Sequence, residues 1–265
     1  MELTEISVPK SSQTKRGVMQ GLWVGKRLTT LQRLSIASFL AHDHEFHLYT
    51  YDTVENVPPG TIVLDGTDIL PESMIFKNTQ FHTYAAFSDY FRYQLLLQKG
   101  GWWVDVDTVC LRPFEFADEY VFSSEYELCG EITNCGVIKA PAGAPVIEYA
   151  WDVCRSKPRD NLDWCEIGPD LVAAAVERFE LQRFVQPAAC FCPVPVHLWD
   201  KVIKTDRVFD FGRSTHALHL WNSVWTRTRT DPDATYPPDC LYEQLKTLYL
   251  AKEPIEPSRR RFHLL

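Results

Sequence analysis

Residues 87–108 read FSDYFRYQLLLQKGGWWVDVDT, and this stretch decides the fold because it joins a buried helix to a buried strand. The part from about Ser88 to Lys99 carries apolar or aromatic side chains on most of its faces, which is typical of a helix buried all round. The two glycines at positions 100 and 101 supply the left-handed stop that ends such a helix. A strand is predicted from Trp102 to Leu111.

Charged residues interrupt the predicted helix at two positions. Asp89 and Arg92 are three residues apart and fall on one face together with Leu96, so we expect both to be partly desolvated. An unpaired buried charge is costly, and such residues are normally paired or bound to something. The pair therefore fits either a structural ion pair or a pair held against a polar ligand.

Two carboxylates, Asp105 and Asp107, follow the apolar part of the predicted strand and lie near its carboxyl end, and a strand period of two places them on the same face. Ligands of open α/β sheets bind at the carboxyl ends of the strands. Two close carboxylates repel one another unless a cation or hydrogen-bond donors intervene. Mg²⁺ or Mn²⁺ would neutralise the repulsion between the two carboxylates. Both ions prefer oxygen ligands and often also coordinate phosphate oxygens of a substrate.

Strand and helix signals alternate along the rest of the chain. Further strands are predicted at 20–24, 45–50, 61–64, 120–128 and 131–139, and helices at 29–40, 145–156, 169–180 and 239–251. This alternation favours an α/β domain with a largely parallel sheet. With no internal repeat or long linker, we expect one domain at 18–252, between a polar extension at 1–17 and a basic tail at 253–265.

Composition narrows the class of protein. The chain has 27 Lys+Arg and 35 Asp+Glu, which gives a net charge of −8. We therefore do not expect it to bind along the phosphate backbone of a nucleic acid. No signal peptide or run of about 18 apolar residues stands out. The eight cysteines lack the spacing of a zinc site or a disulfide framework, so we expect reduced thiols and a cytoplasmic enzyme. The basic tail fits either a solvated extension or a peripheral contact with an anionic membrane.

The run SDYFRY followed by GGWWVDVD resembles the sugar-binding region with a DXD motif found in glycosyltransferases of the GT-A fold. The similar enzymes are retaining: Och1-like mannosyltransferases, α-1,4-galactosyltransferases and the clostridial glucosylating toxins. Weaker similarities lie in GLWVG at 21–25, in Asn134 and Gly136, in IGP at 167–169 and in HLWNSVW at 219–225. The resemblance implies a Rossmann-like single domain whose mixed, mostly parallel sheet is flanked by helices.

The resemblance also implies a role for each matching residue. Trp23 would stack on the nucleotide base, while Asp89 and Arg92 would hold the donor sugar. Asp105 would contact donor or metal and act with that pair in catalysis. The metal ligands implied are Asp105, Asp107 and His219; the further donor contacts are Asn134, Asn222 and Trp225; and the acceptor side is Gly168 and Pro169.

Several of these positions have plain structural alternatives. Trp23 also fits a core position, and His216 competes with His219 for the metal. The cluster of histidines at 42, 44 and 47 is interpreted as a solvated loop, and Asp65 with Asp68 as a turn.

The reaction implied is a metal-dependent transfer of a sugar from a nucleotide-sugar donor to a hydroxyl of a glycan or glycolipid. The donor would be UDP-galactose, UDP-glucose or GDP-mannose, the cation Mn²⁺ or Mg²⁺, and the stereochemical outcome retention. A role in polysaccharide biosynthesis follows from the same resemblance. Two other functions compete: a sugar-nucleotide hydrolase, and a degenerate module that binds a sugar nucleotide without catalysis.

Overall fold

The structure, a computed structural model, describes residues 16–159 and 162–251. Within them lie eight strands: β1 (Arg16–Trp23), β2 (His44–Thr50), β3 (Ile62–Asp65), β4 (Gly101–Val104), β5 (Thr108–Cys110), β6 (Val121–Glu127), β7 (Gly130–Ala140) and β8 (Ala217–His219). The α-helices are α1 (Thr30–Ala41), α2 (Ala85–Lys99), α3 (Pro145–Ser156), α4 (Pro169–Arg178), α5 (Ala188–Phe191), α6 (Asn222–Thr228) and α7 (Leu241–Leu250).

Six strands form one sheet in the order β3-β2-β1-β4-β7-β6. The pairs from β3 to β4 are parallel, whereas β7 runs antiparallel to both β4 and β6. A separate ladder of two strands pairs β5 with β8. The predicted mixed, mostly parallel sheet in an α/β fold is thereby confirmed.

Helix α2 is buried nearly all round, as its sequence predicts. Phe87, Phe91 and Leu95 are fully buried in the core that also contains Trp103 of β4. The helix ends where Gly100 takes a φ of +63°, a position at which a Cβ would clash with the backbone nitrogen of Ala142. The chain therefore turns directly from α2 into β4, the strand that precedes the two carboxylates.

The predicted strand from Trp102 to Leu111 is wrong as one element. Strand β4 ends at Val104, a turn occupies 105–107, and β5 begins at Thr108 as part of the other ladder. Ladder pairing explains the break, because β4 pairs with β1 and β7 whereas β5 pairs with β8. The turn leaves Asp105 and Asp107 at the edge of the main sheet.

Two further predictions from the sequence need correction. Strand β1 begins at Arg16, so the polar extension predicted for 1–17 does not reach residue 17; residues 1–15 and the basic tail at 253–265 lie outside the described residues. The histidine cluster is not a solvated loop. His42, at the end of α1, and His44, at the start of β2, are 1% and 3% exposed, because their rings pack beside Tyr249 and Phe114.

No helix of the described residues has the length and apolar content needed to cross a membrane.

Candidate active site

A cleft of about 650 Å³ opens at the edge of the sheet where β1 and β4 end. Because β7 runs antiparallel to both β4 and β6, the carboxyl end of β6 and the first half of β7 reach the same edge. Of the residues that the sequence points to, those lining the cleft are Trp23, Asp89, Arg92, Asp105, Asp107, Asn134, Pro169, His219 and Asn222. The cleft thus brings together side chains from the first, middle and last parts of the chain.

Arg92 joins the helix to the DXD turn. Its guanidinium donates hydrogen bonds to Asp89 and, over 2.8 Å, to Oδ1 of Asp105, and it lies 5.0 Å from the ring centroid of Trp103. The Trp103 indole N–H donates to the same Asp105 oxygen over 2.8 Å. Asp105 is therefore held by two donors, and its orientation is fixed before any ligand binds.

Asp89 is a buried carboxylate beside a buried cation. Burial raises the pKa of Asp89 to about 6, with Asp105 adding to the increase, while Arg92 acts against it. The single guanidinium of Arg92 is thus shared between the carboxyl groups of Asp89 and Asp105. The ion pair that the sequence allows is present, and it faces the cleft, where a polar ligand could reach it.

Asp107 is bound by residues from the far end of the chain. The β5–β8 ladder places Thr108 opposite His219, which brings the His219 Nε2 to 3.2 Å from the Asp107 Oδ1. The backbone N–H of Asn222, at the start of α6, donates to the Asp107 Oδ2 over 2.7 Å. Burial opposes both charges, but their attraction outweighs it and holds the pKa of His219 above and that of Asp107 below its ordinary value.

Asp105, Asp107 and His219 fit a divalent metal ion. One potential ligand atom from each lies within 4.8 Å of the others, and the two aspartates supply the carboxylate oxygens that Mg²⁺ and Mn²⁺ favour. His216, the competing histidine, instead has its Nδ1 2.8 Å from the Pro113 carbonyl oxygen and its ring packed on Phe116. Of the two histidines, His219 is the one at the carboxylates.

Asn134 and Gly136 of β7 lie against this metal-binding group. The Asn134 Oδ1 accepts the backbone N–H of Gly136 over 2.6 Å. A Cβ at Gly136 would lie 3.0 Å from that Oδ1, 3.3 Å from Oδ2 of Asp105 and 3.6 Å from Cε1 of His219. Glycine at this position therefore lets the amide, the carboxylate and the imidazole approach one another.

The residues predicted to contact the nucleotide and the acceptor differ in where the structure places them. Trp23 lines the cleft, is half-buried and also packs against the core. A Cβ on Gly168 would lie 3.0 Å from the Asp89 Oδ2, and Pro169 lines the wall beside it. Trp225, in contrast, is 1% exposed, donates its indole N–H to the Leu220 carbonyl and does not line the cleft.

Trp225 is buried because α6 packs its inner face on other aromatic rings. The helix spans seven residues from Asn222, and this places Trp225 one turn beyond the cleft. The ring centroid of Trp225 is 5.0 Å from that of Tyr242 and 5.6 Å from that of Trp199. The expected contact between Trp225 and a diphosphate is therefore withdrawn.

Sequence reasoning missed three residues that face the cleft. Trp103 is buried and also donates a hydrogen bond to Asp105. Glu125 of β6 is 7% exposed and accepts a hydrogen bond from Asn134. Cys135 has its Sγ 3.8 Å from the Asp89 Oδ1. Period-two alternation along β4 would have found Trp103, two residues before Asp105, whereas Glu125 and Cys135 carry no motif.

Comparisons with known proteins agree with this site. Residues 38–126 match the protein family described as glycosyltransferase sugar-binding region containing DXD motif, and this segment includes Asp89, Arg92, Asp105 and Asp107. None of the curated proteins matches the chain. The chain thus carries a DXD-containing glycosyltransferase region, and the predictions of this family resemblance and of an enzyme are confirmed.

Two solved structures resemble the chain at low identity. PaToxG glycosyltransferase has 17% sequence identity and a TM-score of 0.49, covering 62% of this chain and 69% of that one. The apo form of the glycosyltransferase GlyE from Streptococcus pneumoniae TIGR4 has 15% identity and a TM-score of 0.40, covering 66% of this chain and 46% of that one.

Proposed function

We propose that this glycosyltransferase region transfers a hexose from a nucleotide-sugar donor to an acceptor hydroxyl, with a divalent cation held by Asp105, Asp107 and His219. The observation that carries the proposal is the approach of these three ligand groups in the same cleft as the buried Asp89–Arg92 pair. The cation, Mn²⁺ or Mg²⁺, would neutralise the charge that develops on the leaving diphosphate. A UDP-hexose is the donor that we propose first.

The residues of the cleft would contact successive parts of the donor, from the base to the sugar. Trp23, at the end of β1, would stack on the base, and Asp105 would hold the ribose or the sugar as well as the metal. Asn222, whose N–H already fixes Asp107, lies where a diphosphate would reach α6. Asn134, Gly168 and Pro169 would line the sugar and acceptor pocket.

Arg92 would act chiefly by orienting the two carboxylates. Its guanidinium already bridges Asp89 and Asp105, so its charge is balanced before a phosphate arrives. Asp89, fixed by this bridge, is then free to accept hydrogen bonds from sugar hydroxyls with its remaining lone pairs. This arrangement favours precise positioning of the sugar over a second cationic contact to the diphosphate.

We further propose retention of configuration, by attack on the same face of the sugar that the diphosphate leaves. The support for retention is the resemblance of the DXD segment to retaining enzymes, and no carboxylate in the cleft stands out as a covalent nucleophile. A glycan or glycolipid would be the acceptor, as in polysaccharide biosynthesis in the cytoplasm or at a membrane surface.

The proposal is tested by donor binding and turnover. The Tm of the purified protein is measured with UDP-galactose, UDP-glucose, UDP-N-acetylglucosamine or GDP-mannose, each with Mn²⁺ and with chelator. In a separate assay, release of nucleoside diphosphate is measured under the same conditions without heating. A donor at about 100 Kd adds about 2.7 kcal/mol of stability and so a clear rise in Tm. We expect such a rise, and diphosphate release, with one donor and only with metal.

Asp107→Asn is the matching variant, because it keeps an oxygen for the Asn222 N–H while removing the charge. We expect it to lose both the metal-dependent rise in Tm and diphosphate release. Asp163→Asn, at an exposed acid that also lines the cleft, serves as its control and should behave as wild type. Full turnover by Asp107→Asn, or turnover by wild type in chelator, would refute the metal role. Turnover that no added sugar acceptor increases would favour a hydrolase, and binding without turnover a non-catalytic module.

A further inference from the structure

Glu125 is a buried carboxylate in the cleft that none of the roles above uses. It lies on β6, is 7% exposed and lines the cleft. In the β6–β7 hairpin Ser123 is opposite Asn134, so Glu125, two residues further on, shares their face of the sheet. The Asn134 side-chain nitrogen donates to the Glu125 Oε1 over 3.1 Å.

This carboxylate has spare capacity to accept hydrogen bonds. An ionised carboxylate offers about four acceptor positions, and the Asn134 amide occupies one of them. No lysine or arginine of the described residues forms an ion pair with Glu125, and its charged neighbours are His219 and Glu127. Burial raises the pKa of Glu125, while the Asn134 hydrogen bond and the nearby His219 act against that increase. Such a group is stabilised when a ligand brings a hydroxyl donor to it.

The strand order gives Glu125 its place relative to the donor. Trp23 ends β1, Asp105 follows β4, Asn134 lies on β7 and Glu125 on β6, which are four consecutive strands of the sheet. Neighbouring strands are about 4.8 Å apart. A donor with its base at Trp23 and its diphosphate at the metal therefore points its sugar toward β7 and β6. Glu125 lies on the outermost of these four strands, the one farthest from Trp23 in the strand order, and the acceptor would approach the sugar from that side.

We propose that the Glu125 carboxylate binds the attacking hydroxyl of the acceptor and takes its proton during transfer. This inference rests on the proposed function of the cleft. The acceptor oxygen forms a bond to the anomeric carbon as the bond from that carbon to the phosphate oxygen breaks. The electron pair of the broken bond leaves with the nucleoside diphosphate, and the hydroxyl proton passes to a Glu125 oxygen. When water replaces the acceptor, the same carboxylate takes a proton from water.

Glu125→Gln isolates this role, because glutamine has the same shape and keeps an oxygen for the Asn134 amide. We measure UDP release at saturating donor with Mn²⁺, water being the acceptor, and the donor Kd by calorimetry. Release should fall about 100-fold, as for loss of a general base, while the donor Kd stays within twofold. Glu119→Gln, an exposed acid just before the same strand that does not line the cleft, should leave both values unchanged.

Glu125→Ala with added formate gives a second readout that a structural role would not move. Formate should restore UDP release in Glu125→Ala and should not increase release by wild type. The proposal is overturned if Glu125→Gln keeps full UDP release, if its donor Kd weakens in parallel with release, or if formate has no effect on the alanine variant. Wild-type protein that neither binds nor turns over any donor contradicts the proposed function itself, and this is read before any variant is made.

Discussion

Replacing Gly136 with alanine would disturb the proposed metal site without a charge change. The new Cβ would lie 3.0 Å from the Asn134 Oδ1 and 3.3 Å from the Asp105 Oδ2, both closer than the 3.4 Å at which ordinary contact begins. Gly136 does not have a positive φ, so the backbone itself accepts alanine. The strain therefore falls on the two oxygens, each of which would have to move by a few tenths of an ångström.

Neither oxygen is free to move without loss. Asn134 is fixed by the 2.6 Å bond from the Gly136 N–H, and Asp105 by the donors Arg92 and Trp103 at 2.8 Å each. A displacement of about 1 Å at a reacting centre costs about 100-fold in rate, so a shift of a few tenths should cost about 10-fold. Overpacking of this size should lower the free energy of unfolding by about 1 kcal/mol.

The assays are Mn²⁺ binding by calorimetry, UDP release with the donor identified in the screen, and urea unfolding. Gly212→Ala is the matched control, because a Cβ there meets no atom within 4 Å and its φ is not positive. We expect Gly136→Ala to lose about 10-fold in Mn²⁺ affinity and in turnover, relative to this control. Values within twofold of the control would refute the argument, and a loss of several kcal/mol in stability would show that Gly136 serves packing instead.

Two further predictions concern stability. Arg92→Met leaves Asp89 and Asp105 without their shared cation and should lower the free energy of unfolding in urea by about 3–5 kcal/mol; Asp89→Asn with Arg92→Met should recover part of it, and a loss under 1 kcal/mol would contradict the prediction. Burial lowers the pKa of His42 from 6.5 to about 4, so the unfolded chain takes up this proton at a higher pH than the folded chain. The contribution of this group to the free energy of unfolding, about 3 kcal/mol above pH 6.5, should therefore be lost as the pH falls toward 4. In urea titrations at several pH values, His42→Gln should reduce the change of the free energy of unfolding with pH. An unchanged pH dependence in this variant would contradict the assignment.

Elements that local sequence patterns specify were predicted nearly to the residue. Helix α3 (145–156) agrees exactly with its prediction, and α1 begins after Thr29, whose backbone N–H donates to the side chain of Gln32 as in a capping box. The break between β4 and β5 was not predicted, because the ladder that claims Thr108 is formed with a strand more than a hundred residues later. The prediction of a solvated loop for the histidines at 42 and 44 was wrong for a similar reason. Their polar character gives no sign that they contact α7 and Phe114, which are distant in the sequence.

The candidate site divides in the same way. Asp105, Asp107, Asp89 and Arg92 lie in one continuous segment, and its resemblance to a known motif pointed to them directly. Glu125 could not be found in this way, because its place in the cleft depends on the register of the β6–β7 hairpin. That register shifts between Phe122 and Ser123, so the alternation read from the sequence does not show which side chains share the face of Asn134.

The short β5–β8 ladder has a consequence for how the site is assembled. Asp107 and His219 are more than a hundred residues apart in the chain, so an ion held by both would act as a reversible cross-link that closes a long loop. The ligand set is complete only when β8 and α6 have packed against the β5 segment. Binding of the ion would therefore stabilise this packed state. Amide hydrogens of β8 and α6 should therefore exchange more slowly with Mn²⁺ present, while those of β2 and β3 should not change.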